Sequence, residues 1–453
     1  MNSLMDEYKN KKVLIMGLGI NGGGVEAAKW FALKGANVLA TDLRDETILR
    51  PSLKKLKKFK NIKFILGKHR EKDFKEADLI IKNPGVPKDS PYLKIAQKNH
   101  IPIESDFSLF FKLCASKNLI GVTGSKGKST AVSLIYKIFR KFNKQTQLAG
   151  NIRISPLAIL NRIKNYNVPV ILELSSWQLE DSVSAKKSPH VALITNILHE
   201  HLNRYKNFQE YVKAKKLIFK FQSQDDFLIL NYKDKILKKI GGKEAKSKII
   251  FYNKSPQKEL AFLGGQKPQI LGKHNLEHIM AAVAVAKIFK IPENIYKKAI
   301  LEFRGLPGRI EFIKEIGKVK YYNDTTATMP DATVASIKTL SENYKLKPSQ
   351  IVLIAGGADK NLDYENLSRT IKKCVGKVEL LEGNATSKLE KELKKINFTN
   401  YTIYKDLKRA VKSAKKFSRT GGIILFSPGA ASFGMFKNEF DRGDKFNKIV
   451  KSL

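Results

Sequence analysis

Strand-length apolar runs that alternate with helical patterns constrain this chain more than any other feature of it. A first block reads KVLIMG (12–17), NVLATD (37–42), IKFILG (62–67) and DLIIKNPG (78–85), with a helix predicted near 23–34. A second reads NLIGVTG (118–124), PVILELSS (169–176), HVALITNI (190–197) and FLILN (227–231), with helices starting at Lys128 and at His274-Asn275. A third opens on the hairpin-like EFIKEIGKVKYYND and continues through QIVLIAGG (350–357), KVELLEG (377–383) and GIILFSPG (422–429). Runs of this length separated by helices predict an α/β protein with mainly parallel sheets. The 453 residues suit three domains at roughly 150 residues each. Turn residues at Pro102 and in Gly305-Leu306-Pro307-Gly308 set the expected limits at 1–102, 103–304 and 305–453, with hinges near 102 and 304.

Composition excludes several classes. A 42% hydrophobic chain can build packed cores and is not disordered. Two cysteines, Cys114 and Cys374, cannot make a disulfide framework or a Cys-rich zinc site, which suits a reducing cytoplasm. The N-terminus lacks the basic start and apolar core of a signal peptide. The uncharged run Thr420–Phe436 is 17 residues broken by Gly and Pro, short of the roughly 20 apolar residues a membrane span needs. No membrane insertion is expected. The net charge of +42 raises nucleic-acid binding, but 71 lysines against 13 arginines are spread along the whole chain without an Arg-rich arm. A Lys-rich solvated surface is the better reading, so no nucleic-acid partner is expected.

Gly17-Leu18-Gly19-Ile20-Asn21-Gly22 follows a strand and opens a helix, and Asp42 ends the next strand. That spacing is a Rossmann fingerprint: the turn lets a diphosphate approach a helix N-terminus, and Asp42 is placed for a ribose hydroxyl. By itself it suits NAD or any other diphosphate-bearing ligand. Gly121-Val122-Thr123-Gly124-Ser125-Lys126-Gly127-Lys128-Ser129-Thr130 also joins a strand to a helix. Backbone N–H groups of such a loop cradle phosphates, Lys128 reaches the β/γ oxygens and the Ser129 hydroxyl can bind Mg²⁺. Val122 stands where a strict P-loop carries Gly, yet the context on both sides predicts an ATP site.

Glu173, at the end of VILE, and His201, in HEHLNR (199–204), supply candidate metal ligands at the strand edge where open α/β sheets bind ligands. The H-x-H spacing lacks the further ligands zinc prefers. Asn323-Asp324-Thr325-Thr326-Ala327-Thr328, Gly356-Gly357-Ala358-Asp359-Lys360 and Ser427-Pro428-Gly429-Ala430-Ala431-Ser432-Phe433 each end a strand. They could form one face, or be ordinary turn and capping chemistry.

The order of these motifs resembles the Mur ligase family. It runs GVTGSKGKST, LAGN (148–151), LELSSWQLE (172–180), HEHLNR, YVKAK (211–215), GKHN (272–275), GLPGR (305–309), NDTTAT (323–328), GGADK (356–360) and SPGAASFGMFKNEFDRG (427–443). Among members it looks most like the one that adds D-glutamate. The resemblance implies three domains: a Rossmann-like N-terminal domain for the UDP end of the substrate, a central P-loop-type ATPase domain, and a Rossmann-like C-terminal domain for the amino acid. It implies ATP-dependent amide formation through an acyl phosphate, joining D-glutamate to UDP-MurNAc-L-Ala in cytoplasmic peptidoglycan precursor synthesis, by a monomer.

By the same resemblance, Gly124, Ser125, Lys126, Gly127, Lys128, Ser129, Thr130, Asn151, Asn275, Arg309 and Asp324 match ATP-binding positions. Lys128, Glu173, His201 and Lys215 match catalytic ones, and Ser129, Glu173, His201 and a carbamylated Lys215 match ligands of two Mg²⁺ ions. Gly17, Gly19, Asn21, Asp42, Arg44 and Gly85 match the UDP end, and Thr328, Lys360, Ser432 and Phe433 the amino acid. Asn21 and Gly24 replace the family's Thr and Ser, His278 stands where Asn is common, and Thr326 where some members have Lys. Glu439 follows Lys437-Asn438 and displaces the expected aromatic to Phe440. The rivals are a related ligase adding a different amino acid and, more remotely, an NAD-dependent Rossmann enzyme.

Overall fold

Strands buried on both faces read as unbroken apolar runs, and VILE and VALI lose every side chain to the interior. The computed structural model describes residues 7–20, 22–152, 154–198, 205–241, 244–359, 361–432 and 435–453. Three sheets follow one another along the chain. The first holds β1 (Lys12–Met16), β2 (Asn37–Asp42), β3 (Ile62–Leu66), β4 (Leu79–Lys82) and β5 (Ile103–Glu104) in the parallel order β3-β2-β1-β4-β5. That is a Rossmann half-sheet, with helix α1 (Gly23–Leu33) crossing from β1 to β2. Helix α2 (Asp106–Leu113) leaves it behind a Ser105–Ser108 capping box.

The second sheet holds β6 (Leu119–Thr123), β7 (Gln147–Gly150), β8 (Val170–Glu173), β9 (Val191–Ile194), β10 (Phe227–Asn231) and β11 (Lys248–Tyr252). All pairs are parallel, in the order β11-β10-β9-β6-β8-β7. Its helices include α3 (Lys128–Phe142), α4 (Ser176–Asp181), α5 (Phe208–Lys216) and α6 (Lys273–Ile288). The third sheet runs β12 (Glu311–Ile316), β13 (Val319–Asn323), β14 (Ile351–Gly356), β15 (Lys377–Leu381), β16 (Tyr401–Tyr404) and β17 (Ile423–Phe426). Its order is β12-β13-β17-β14-β15-β16, and the predicted hairpin makes β12 its one antiparallel edge. Helix α7 (Pro330–Tyr344) follows β13, and α8 (Glu439–Lys451) ends the chain. The predicted class, α/β with mainly parallel sheets, is the observed one. The strand runs named from sequence are all present; β5, β7, β11 and β16 were not singled out.

Contacts group the chain into two units, Met1–Gly265 with Glu277–Ile300, and Gln266–Leu276 with Leu301–Leu453. The limit expected near 102 falls just before β5, the last strand of the first sheet, and the first and second sheets share the first unit and one continuous core. Phe107, Phe110 and Phe111 of α2 enter that core beside Leu157 and Ile159. Polar groups are buried there too. Lys82 Nζ lies 3.0 Å from Asp181 Oδ2, both side chains nearly inaccessible, and also donates to the Val86 carbonyl. Ser105 Oγ donates to the Asp181 carbonyl at 3.3 Å, and Ser155 Oγ to Asp106 Oδ2 at 3.1 Å. These bonds tie the first sheet to the elements around the second. Among the described residues no helix is long and apolar enough to cross a membrane.

Burial pushes the Asp106 carboxyl up to about 6, against the lowering by its Ser155 and backbone hydrogen bonds. A carboxyl raised on folding stabilises the fold while protonated, and that contribution is lost as pH climbs through the folded value. Asp106→Asn carries no such titration. In urea unfolding across a pH series, wild type should lose up to about 3 kcal/mol relative to Asp106→Asn between about pH 4 and 6.5. A difference that stays constant over this range would show that Asp106 is ionised in the folded protein.

Candidate active site

Open parallel sheets bind ligands at the C-terminal strand ends where the build-out of the sheet reverses. In the first sheet that point lies between β1 and β4, whose following loops carry Gly17–Gly22 and Asn83-Pro84-Gly85. Gly24 lets α1 close onto this turn, because a Cβ there would sit 2.5 Å from the Leu18 carbonyl oxygen. The Asp42 carboxylate accepts from the Gly19 N–H at 2.8 Å and the Arg44 N–H at 3.0 Å, and is nearly buried. Asp42 therefore shapes the turn itself. Gly85 N–H donates to Asn83 Oδ1 at 3.1 Å, and Arg44 is exposed. Asn21 lies outside the described residues.

In the second sheet the reversal surrounds β6, and the phosphate-loop sequence leaves its end. Asn196, after β9, holds this loop: its carbonyl accepts from Ser125 N–H and its Oδ1 from Lys126 N–H, both at 2.9 Å. Ser125 Oγ also bonds Tyr211 Oη at 2.9 Å. Gly127 caps α3 at φ 82° without a capping side chain, which leaves the helix N-terminus, with the N–H groups of Ser129 and Thr130, suited to an anion. The His278 ring packs on it so closely that a Cβ at Gly127 would lie 2.1 Å from His278 Cε1. Lys128 Nζ donates to the carbonyls of Gly124 (2.9 Å) and Ser125 (2.8 Å).

Glu173 ends β8 beside β6, in register with Val122, and is 1% exposed. Its Oε1 accepts from Asn151 Nδ2 at 3.0 Å, while Oε2 is buried with no hydrogen-bond partner. An orphaned buried carboxylate oxygen is costly unless a donor or a cation meets it, and as a hard oxygen it is of the kind that would suit Mg²⁺. Lys215, 2% exposed on α5, is brought to the same place: Nζ donates to the Gly124 carbonyl at 2.8 Å and Thr123 Oγ1 at 3.2 Å, over the Tyr211 ring. Thr123 Oγ1 in turn donates to the Leu174 carbonyl at 2.6 Å. His201 lies outside the described residues. Among those described, no three His, Cys, Asp or Glu side chains converge on one point.

In the second unit the reversal lies between β14 and β17, and the loops after β13, β14 and β17 meet there. Asp324 is not open to solvent. Its Oδ2 accepts from Ser336 Oγ (2.6 Å) and Ser427 Oγ (2.7 Å), its Oδ1 from Ile310 N–H (3.1 Å), and burial raises it to about 6 despite the Arg309 charge. Asn275 Nδ2 donates to the Leu271 carbonyl at 2.6 Å. Thr328 is half-buried and Ser432 buried; Lys360 and Phe433 lie outside the described residues.

Family models match in chain order: "Mur ligase MurD-like, N-terminal domain" over 11–105, "Mur ligase middle domain" over 122–286 and "Mur ligase, glutamate ligase domain" over 308–429. A relative from Roseiflexus sp. (strain RS-1), named UDP-N-acetylmuramoylalanine–D-glutamate ligase, is 38% identical over 474 residues, covering 99% of this chain and 100% of its own. The chain belongs to the Mur ligase family. Members of the same name from Borreliella afzelii and Clostridioides difficile are 38% and 34% identical, each across 99% of the chain and 99% and 100% of their own. Among solved Mur ligases, UDP-N-acetylmuramate-alanine ligase from Thermotoga maritima aligns with TM-score 0.63 at 18% identity, covering 98% of this chain and 99% of its own. MurF from Acinetobacter baumannii aligns with TM-score 0.59 at 14% identity, covering 97% and 93%. These two share the fold.

Sequence reasoning passed over Asn196, Tyr211 and Arg442, which hold the Mur ligase loops from behind. For Arg442 a signal existed: it is one of 13 arginines in a chain of 71 lysines.

Gly127→Ala introduces a Cβ at a left-handed backbone position and against His278, at a cost of about 1–3 kcal/mol in strain alone. ATP affinity, read by calorimetric titration, should fall about tenfold or more. Adding His278→Ala should recover part of the loss by removing the overlap. Unchanged affinity in Gly127→Ala would show that the loop binds no phosphate at this turn.

Proposed function

We propose that this Mur ligase joins D-glutamate to UDP-N-acetylmuramoyl-L-alanine, converting ATP to ADP and phosphate, as a monomer in the cytoplasm. The observation that carries the reading is the phosphate loop with Glu173 and Lys215 buried against it, in a chain whose full length matches relatives of that name. Residues 1–102 hold the UDP end through Gly17, Gly19, Asn21, Asp42, Arg44 and Gly85. Residues 103–304 hold ATP, with Asn275 and, from the third region, Arg309 and Asp324. Residues 305–453 hold the amino acid through Thr328, Lys360, Ser432 and Phe433.

A carboxylate oxygen of the L-alanyl end attacks the γ-phosphorus of ATP, ADP leaves, and an acyl phosphate forms. The D-glutamate amine attacks the acyl carbon, loses a proton, and phosphate departs as the amide closes. The first step brings two anions together, so its barrier is set by how well their charge is offset. The N–H groups opening α3 and the Lys128 ammonium, once turned from the Gly124 and Ser125 carbonyls, meet the phosphate oxygens. Ser129, Glu173, His201 and a carbamylated Lys215 would hold two Mg²⁺ ions, which supply further positive charge when bound. A carbamate retains one N–H, so the Lys215 bond to the Gly124 carbonyl can survive the change while a buried cation becomes an anion.

Phosphate release with ATP, Mg²⁺ and UDP-N-acetylmuramoyl-L-alanine, screened against D-Glu, L-Glu, L-Ala, L-Lys and meso-diaminopimelate, tests the substrate. Release with D-Glu alone is expected; release with another amino acid keeps the mechanism and moves the specificity. For Lys215, protein incubated with ¹³C-bicarbonate should give a carbamate carbon signal that Lys215→Arg lacks, and stripping carbon dioxide should lower activity until bicarbonate returns. A signal retained in Lys215→Arg would place the carbamate elsewhere.

A further inference from the structure

Arg442 of α8 is 1% exposed, and its guanidinium spans two loops of the third sheet. Nε donates to Thr325 Oγ1 at 3.1 Å, Nη2 to the Thr325 carbonyl at 2.8 Å, and Nη1 to the Ala430 carbonyl at 3.1 Å. We propose that Arg442 is a positioning residue for the amino-acid substrate, fixing the loop after β13 against the loop after β17 so that Thr328 and Ser432 face it together. This rests on the reading of the third region as the amino-acid site.

The two loops are already stitched by backbone. Asp324 N–H donates to the Phe426 carbonyl at 2.7 Å and Gly429 N–H to the Ala327 carbonyl at 2.9 Å. Ala358, after β14, exchanges N–H···O bonds with Ala431 at 3.0 and 2.9 Å, which brings in the third loop. Thr328 lies three residues beyond Thr325 and Ser432 two beyond Ala430, so the guanidinium grips each loop just before its candidate substrate residue. Helix α8 is drawn in for this purpose at a second point. A Cβ at Gly443 would lie 2.5 Å from Thr325 Cγ2, and Asn323 Nδ2 donates to the Gly443 carbonyl at 3.2 Å and Asn447 Oδ1 at 2.8 Å. Thr325 Oγ1 closes the ring by donating to the Glu439 carbonyl at 2.7 Å.

A residue chosen only to fill this space would not carry a charge. Burial lowers Arg442 to about 10, and Glu439, one turn earlier on the same helix, offsets only part of that. Three of its five N–H groups go to neutral oxygens. The planar fork reaches both loops at once, which a lysine ammonium cannot do. What remains is a fixed positive charge behind loops that, on this reading, receive a substrate with two carboxylates.

Initial rates of the full-length ligase, with each substrate varied in turn, separate this from a general packing role. Arg442→Met should raise KM for D-glutamate about tenfold or more while KM for ATP and the UDP substrate stays within about twofold. Arg442→Lys keeps the charge without the fork and should fall between. Equal rises in all three KM values, or a fall in kcat and Tm with KM for D-glutamate unchanged, would overturn the proposal. Should Arg442→Met fail to fold, Thr325→Val removes one acceptor at nearly constant shape. It should shift the same KM in the same direction, and an unshifted KM would overturn the proposal equally. Wild type answers the underlying reading separately: if it uses another amino acid, the variants are read on that KM.

Discussion

Parallel pairing is the constraint on which the rest depends. Two parallel neighbours cannot be joined by a tight turn, so connections cross back over the sheet and, the β12 hairpin strand apart, the strands of a sheet point their C-terminal ends the same way. Each sheet therefore collects its loops on one edge, and where the build-out reverses, two loops lie side by side with a gap between them. In this chain those pairs are the loops after β1 and β4, around β6, and after β14 and β17. Nearly every motif with chemistry in it falls on one of them.

Loops at such edges carry glycines and unpaired backbone groups, and something must hold them in one shape. Here the holding groups are polar side chains, most of them buried. Asp42 grips Gly19 and Arg44, Asn196 grips Ser125 and Lys126, Lys215 grips Gly124, and Asp324 grips Ile310, Ser336 and Ser427. Arg442 does the same for Thr325 and Ala430. Each bond is to a backbone or hydroxyl group that desolvation would otherwise leave unpaired, so losing the side chain costs both loop geometry and hydrogen bonding. Glu173 differs from these in keeping one buried oxygen with no protein partner, open to a donor or a cation.

Strand runs such as KVLIM and VALI were legible because burial on both faces demands unbroken apolar sequence. The strands passed over are short or marginal: β5 is two residues, β7 ends in glycine, and the side chains of β16 are all at least partly exposed. β11 is an edge strand with a lysine at its start and only Tyr252 fully buried. The join between the first two sheets was not legible, because Lys82 and Asp181 are 99 residues apart and each reads as one charge among many.

Local sequence determined which loops bear the chemistry, since glycine turns, a lysine before a helix and a carboxylate at a strand end all act within a few residues of themselves. It also determined the α/β class, because period and run length are local properties. Tertiary structure alone decided which cations are buried against these loops. Lys215 and Arg442 are drawn 92 and 117 residues along the chain to Thr123 and Thr325. Burying a charge there is tolerable only because the backbone it meets has been folded into place to receive it.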